Sequence, residues 1–242
     1  MILRLTTYLY FFFLPVYLVA QNPWINEIHY DNVGTDMMEY VEIVIPDPGC
    51  PGPISVERYN GNGGLSYGVS TIDGMTGEVQ SGDGMGCIAF DGGYYTIIGI
   101  EFLSNGLQNG PDGIAIQCGT FVQFLTYEGS FTATDGIASG MMGADIGVSE
   151  SSSTDTIFSA QLQGIGSVYS NFSWVIDSTT HCAPNLDQTI LEGKPSVRVS
   201  GDLFLHQSID GVILKSPDGT CYRISVDNAG VLETTLVACP GE

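Results

Sequence analysis

Short runs of alternating apolar residues, each cut off by Gly, Asn, Asp or Pro, recur from Trp24 onward, and no segment sustains a 3.6-residue apolar period. That pattern specifies an all-β sandwich or barrel and leaves helices short and few. Trp24–Tyr30 and Glu39–Ile45 read as the first two strands. In the second, Val41, Ile43 and Ile45 share one face, with Tyr40, Glu42 and Val44 on the other. Further strands are expected at Ile54–Tyr59, Cys87–Phe90, Tyr94–Phe102, Gly113–Cys118, Phe121–Tyr127, Phe158–Gln163 and Val168–Trp174. Two stretches rich in Gly, Ser, Asp and Met, Gly61–Gly86 and Thr132–Asp155, read as long loops, the kind that usually carry function or disorder.

The first twenty residues have the order of a secretory signal. Arg4 precedes an apolar run from Leu5 to Ala20, and a small residue stands just before Gln21. The run is short for a bilayer span. Cleavage is expected to leave Gln21 as the mature N-terminus, with no membrane span afterwards. A main β-domain then occupies residues 21–190 and a small C-terminal β-hairpin unit residues 196–242. The latter has strands at Leu203–Leu205, Gly211–Leu214, Cys221–Val226 and Val231–Val237, with turns at Ser216–Gly219 and Asp227–Gly230. So few residues make a poor core alone.

Charge narrows the partners. The formal net charge is −21, with only 6 Lys and Arg in the whole chain. Nucleic-acid binding relies on cations that neutralise phosphate, so direct nucleic-acid contact is not expected, nor is adsorption to anionic lipid. A protein or surface glycan partner in an extracellular or cell-surface setting fits better, as does self-assembly through the C-terminal unit. Six cysteines, Cys50, Cys87, Cys118, Cys182, Cys221 and Cys239, follow the signal, an even number that in an exported chain indicates disulfides. The hairpin register brings Cys221 to Cys239. Among the other four, Cys50–Cys87 and Cys118–Cys182 are the pairings expected, each joining a strand end to a later loop.

Ordered motifs add a family resemblance. Trp24-Ile25-Asn26-Glu27-Ile28-His29-Tyr30-Asp31-Asn32 followed by Glu39-Tyr40-Val41-Glu42-Ile43 resembles the opening of lamin-tail domains, especially those of secreted bacterial proteins. Tyr59-Asn60-Gly61, Asn109-Gly110-Pro111-Asp112-Gly113-Ile114-Ala115 and Val122-Gln123-Phe124-Leu125-Thr126-Tyr127-Glu128-Gly129 are similar to its later segments. Phe172-Ser173-Trp174 and Pro184-Asn185 resemble its end, with Ala183-Pro184 where Pro-Gly is usual. The resemblance spans roughly Trp24–Gln188. It implies an immunoglobulin-like β-sandwich acting as a binding or targeting module, a kind that often accompanies nuclease or phosphatase domains. The tail from Gly201 to Pro240 also looks like a segment that recurs at the C-termini of secreted bacterial proteins.

Few constellations carry chemistry. Gly64-Leu65-Ser66-Tyr67-Gly68 has the G-x-S-x-G form, but a nucleophile elbow needs a strand before the serine and a helix after it, and neither is expected here. His29, His181 and His206 are scattered, without the clustering a metallohydrolase or a structural zinc site requires. Glu27, Glu39 and Glu42 fall on adjoining strands, where a solvated sheet face is the expected setting. Calcium takes carboxylates and carbonyls on flexible loops. Asp31, Asn32, Asp36 and Glu39, within one strand connection, are the better calcium candidate, ahead of Asp73, Glu78 and Asp83. The leading expectation is a secreted extracellular or cell-surface binding or structural protein for adhesion or assembly, with no catalytic residues and no cofactor besides calcium. The alternative is a secreted metal-assisted hydrolase or an accessory module of an extracellular nuclease.

Overall fold

The structure is a computed structural model that describes residues 21–47, 49–50, 52–73, 76, 78–91, 93–192, 212–216 and 218–239, with side chains at 87–91 outside the description. The expected signal sequence, the Leu203–Leu205 strand and His206 lie outside the described residues. The chain divides into two compact units after residue 196.

The larger unit is an all-β sandwich. One sheet has the order β12 (Phe172–Ser178), β11 (Phe158–Gly166), β1 (Trp24–His29), β2 (Tyr40–Pro46), β7 (Tyr95–Glu101), β6 (Met85–Asp91), and a short β13 (Gln188–Ile190) runs parallel to β11. The other has the order β10 (Ala144–Asp145), β9 (Phe121–Tyr127), β8 (Asp112–Cys118), β3 (Ile54–Asn60), β4 (Leu65–Ile72), β5 (Val79–Ser81). A single 3-10 turn at Tyr169–Asn171 precedes β12. It replaces the start of the strand expected from Val168.

The alternation read from the sequence explains the core. Ile25, Ile28, Val41, Ile43, Ile45, Ile98 and Ile100 project from one sheet onto Ile54, Val56, Ile72, Ile114, Ile116 and Leu125 of the other, all buried. Each such side chain contributes roughly 1.5–3 kcal/mol by leaving water. The outer faces are covered as well. Trp24, Val44, Ile97, Leu162, Phe172 and Ile190 form a second cluster on the first sheet. On the second sheet, Tyr59, Ala115 and Phe124 pack with Ala133 and Ala138. The Thr132–Asp155 stretch is therefore packed structure over much of its length, and Thr134 N donates to Gly64 O (2.8 Å).

Gly61–Gly86 also departs from the loop expectation, since it holds β4, β5 and the start of β6. The glycine at 68 is there for space: a Cβ would fall on the Arg58 guanidinium, 1.9 Å from Nη2. Arg58 is buried between the rings of Phe102 and Tyr67 (4.4 and 5.3 Å to the centroids), donating to Asp83 Oδ2 (2.5 Å) and Gly106 O (2.6 Å).

Two disulfides have both partners described. Cys50 pairs with Cys118, which corrects both Cys50–Cys87 and Cys118–Cys182. The cause is register: Ile54 opposes Cys118 across β3 and β8, so the chain just before β3 arrives beside the end of β8. Cys182 is also disulfide-bonded. In the smaller unit Cys221 pairs with Cys239. That unit is a three-stranded antiparallel sheet, β14 (Val212–Lys215), β15 (Cys221–Val226), β16 (Leu232–Val237), one strand more than a hairpin. Its second turn closes as Asp227 N donates to Val231 O (2.9 Å) and Gly230 N to Asp227 O (3.0 Å), with Gly230 at φ 83°.

Candidate functional site: an acidic end of the sandwich

From residue 21 to residue 192 the chain has 21 Asp and Glu but a single Lys or Arg, Arg58, which Asp83 already holds. Many of these carboxylates are buried, so each must find hydrogen-bond donors, a proton or a cation. Those expected on a solvated sheet face are fully buried instead. Glu27 and Glu42 oppose each other across β1 and β2. The segment 179–185 roofs them, a cover that strand alternation does not encode.

Glu27 accepts from Tyr40 OH (2.5 Å), Ser159 Oγ (2.5 Å), Thr180 N (3.0 Å) and Thr180 Oγ1 (2.9 Å). Glu42 accepts from Asn26 Nδ2 (2.9 Å) and Cys182 N (2.9 Å), and burial together with the charge of Glu27 pushes its carboxyl well up. Asn185 clasps the roof. Its Nδ2 donates to Asn26 O (3.1 Å) and Leu162 O (2.9 Å), and its Oδ1 accepts from Asn26 Nδ2 (3.1 Å) and Thr180 Oγ1 (3.1 Å).

At the end of β1, His29 is sealed in the interior. Its Nδ1 donates to Glu150 Oε1 (2.8 Å) and its Nε2 lies 3.3 Å from Asn32 Nδ2. Burial alone would lower its pKa, but the bond to Glu150 and the charges of Glu150, Glu39 and Glu27 outweigh it and raise it. Glu150 Oε2 also accepts from Tyr30 N (2.6 Å) and Asp31 N (2.9 Å). Tyr30 OH reaches Glu128 Oε1 (3.1 Å). Glu150 and Glu128 lie about a hundred residues from Tyr30 in sequence; no motif announces Glu150, and Glu128 falls in the Val122–Gly129 segment without any sign that Tyr30 is its partner.

Within the β1–β2 connection, Asp36 Oδ1 accepts from Asn32 N (3.2 Å) and Asn32 Nδ2 donates to Met37 O (3.0 Å). Burial, then the adjoining Asp36 carboxyl, pushes Asp31 up to about 6. Glu39 belongs to the same field but points elsewhere. It accepts from Gly106 N (2.7 Å) and Leu107 N (3.3 Å), and burial pushes it to about 7. Asp112 is raised to about 6 by burial, with Glu128 adding to the effect.

The other candidates come apart. Ser66 lies on β4, its backbone N–H held by Asp135 Oδ1 (2.7 Å), with no helix after it. Asp73 is bonded to Thr76 N (2.7 Å) and Gln80 Nε2 (3.3 Å), while Asp83 serves Arg58. His181 lines a half-open cleft of 450 Å³ with Met38, Tyr40, Glu101, Thr179 and Thr180. Glu101, His181 and Cys182 converge there, but the Cys182 sulfur is in a disulfide and offers no thiolate to a metal. The chain matches no family model, no curated protein and no solved structure.

Proposed function

We propose that this chain is a secreted, non-catalytic structural protein in which the sandwich is the displayed body and the C-terminal sheet joins the chain to further copies of itself. One observation carries the reading. The strand registers put Val212, Leu214, Tyr222, Ile224, Val226, Leu232 and Leu236 on a single face of the small sheet. All but Ile224 are well exposed, Leu232 at 71% and Leu236 at 65%. A contiguous apolar face of this kind, rare on a monomer, marks an interaction surface.

Charge favours a second copy as the occupant. Between residues 212 and 239 two basic residues, Lys215 and Arg223, nearly balance Asp218, Asp227 and Glu233. Like charges that hold the sandwiches apart have little counterpart here. The burial of His29 and the hydrogen-bond saturation of Glu27 support a body without acid–base chemistry. The motif resemblance to lamin-tail domains, which serve as binding or targeting modules, points the same way.

Light scattering on size-fractionated mature protein tests the proposal, alongside a Leu214→Lys/Leu236→Lys variant. The expected result is an oligomer for the parent and a folded monomer for the variant. A parent that stays monomeric at every accessible concentration would overturn self-assembly, and hydrolytic activity lost on Glu27→Gln would overturn the non-catalytic reading.

A further inference from the structure

Two side-chain oxygens in the β1–β2 connection have no partner. Asp31 Oδ1 and Asn32 Oδ1 are buried without a hydrogen bond, in residues 6% and 0% exposed. The Asn32 amide cannot turn over to cure this. Its nitrogen donates to Met37 O, and turning the amide would set its oxygen against that carbonyl, so the oxygen is the atom left over. A buried acceptor left without a donor is a net cost to folding. Here two neighbouring residues bear that cost at once, next to the Asp36 carboxylate. Every charged group that faces them is of the wrong sign or already engaged. Glu128 and Glu150 add negative charge, His29 is bonded to Glu150, and Arg58 is committed to Asp83.

We infer that the β1–β2 connection binds a calcium ion, with Asp31, Asn32 and Asp36 as its side-chain ligands and Glu128 and Glu150 supplying the surrounding negative field. The donor set selects the metal. Two carboxylates and an amide oxygen are hard ligands, and the only nearby imidazole nitrogen is taken by Asn32, which disfavours zinc. An irregular loop with backbone carbonyls free to turn toward an ion suits the flexible coordination of calcium better than the strict octahedron of magnesium. Among the described residues, no three His, Cys, Asp or Glu side chains meet at this loop as tightly as the trio at Glu101 does. Glu39, expected from sequence as a fourth ligand, serves Gly106 and Leu107 instead. Two carboxylates make a weak site, with a Kd of about 10⁻⁴–10⁻³ M, the range of extracellular modules.

The inference stands apart from the self-assembly reading, since no residue is shared between them. Mature protein stripped with a chelator is titrated with calcium chloride by calorimetry, with magnesium chloride at matched ionic strength as control. The expected result is one saturable site for calcium in that range, absent with magnesium. Asp36→Asn keeps an acceptor for Asn32 N and should weaken binding by about tenfold or more while the unliganded protein stays folded. Asp31→Asn removes the other carboxylate and should weaken it likewise. Equal responses to both cations, or binding unchanged in Asp36→Asn and Asp31→Asn, would assign the effect to general screening of the acidic surface and overturn the site.

Discussion

In a chelating buffer this protein should become less stable as the pH rises from about 5.5 to about 7.5, against the usual trend for a chain rich in carboxylates. Glu39, Asp31 and Asp112 are held at about 7, 6 and 6, above their free values of 4.5, 3.8 and 3.8. A carboxyl whose folded pKa lies above its unfolded one binds its proton more tightly when folded. Its contribution is complete below the unfolded pKa and lost as the pH climbs through the folded one. Between the two pH values only part of each shift is crossed. Glu39 supplies about 2 kcal/mol and each aspartate just under about 1 kcal/mol, before allowance for solvent. Halving for screening leaves a net of about 2 kcal/mol.

Other groups do not reverse the sign. Glu42 is raised and acts in the same direction. His29 is raised, so its contribution is also present at the lower pH and lost on the way up, while His181 is lowered and opposes it. Asp83 is held low by Arg58, against the effect of burial, and its contribution is lost only in stronger acid. For a chain of this size about 2 kcal/mol moves Tm by roughly 4–8 °C. Both tryptophans, Trp24 and Trp174, lie in the sandwich, so their fluorescence follows that unit alone. A melt in chelator should show the higher Tm at the lower pH, and Asp31→Asn should shrink the difference by about a quarter. A Tm that is constant or rises toward pH 7.5 would mean that the buried acidic groups are compensated by donors after all.

Two further predictions concern the sandwich itself. Asn185→Ala strips partners from the buried carbonyls of Asn26 and Leu162 and from the Thr180 hydroxyl, and should cost about 2–4 kcal/mol in urea unfolding; a loss below about 0.5 kcal/mol would show that the roof over Glu27 and Glu42 is held by other means. Replacing Cys50 and Cys118 together by Ser opens a loop of 68 residues and should lower stability by about 4 kcal/mol on the chain-entropy account, with far-UV circular dichroism reporting whether the fold survives.

Alternation was enough to place β1, β2, β3, β8 and β9, because apolar residues dominate their inner faces: Ile25 and Ile28, then Val41, Ile43 and Ile45, Ile54 with Val56, Ile114 with Ile116, and Leu125 with Tyr127. It failed at β4, where Gly68 reads as a loop former although its role is to make room for Arg58 from the adjacent strand. It failed in a different way at Glu27 and Glu42. A polar outer face looks the same in sequence whether water or a later segment of the chain covers it, and here the cover comes from residues 179–185. Spacing did bring Asp31, Asn32 and Asp36 together, since they lie within one turn-rich connection. The same spacing gave Glu39 the wrong direction, because the donors it meets belong to the chain between β7 and β8. His29 has its partner in Glu150, 121 residues away, a distance over which local pattern carries no information.

The lone arginine of the sandwich has a practical consequence for proteolysis. Trypsin-like proteases cut after Lys and Arg, and from residue 21 to residue 192 the only such bond follows Arg58, within a strand paired on both sides and with its side chain buried. The folded body therefore presents these enzymes with nothing to cut. The basic residues that follow it, Lys194, Arg198, Lys215 and Arg223, all come after residue 192, and the bond after Lys194 is shielded by Pro195. A cut after Arg198 would part the chain close to the boundary between its two compact units and leave residues 21–192 whole.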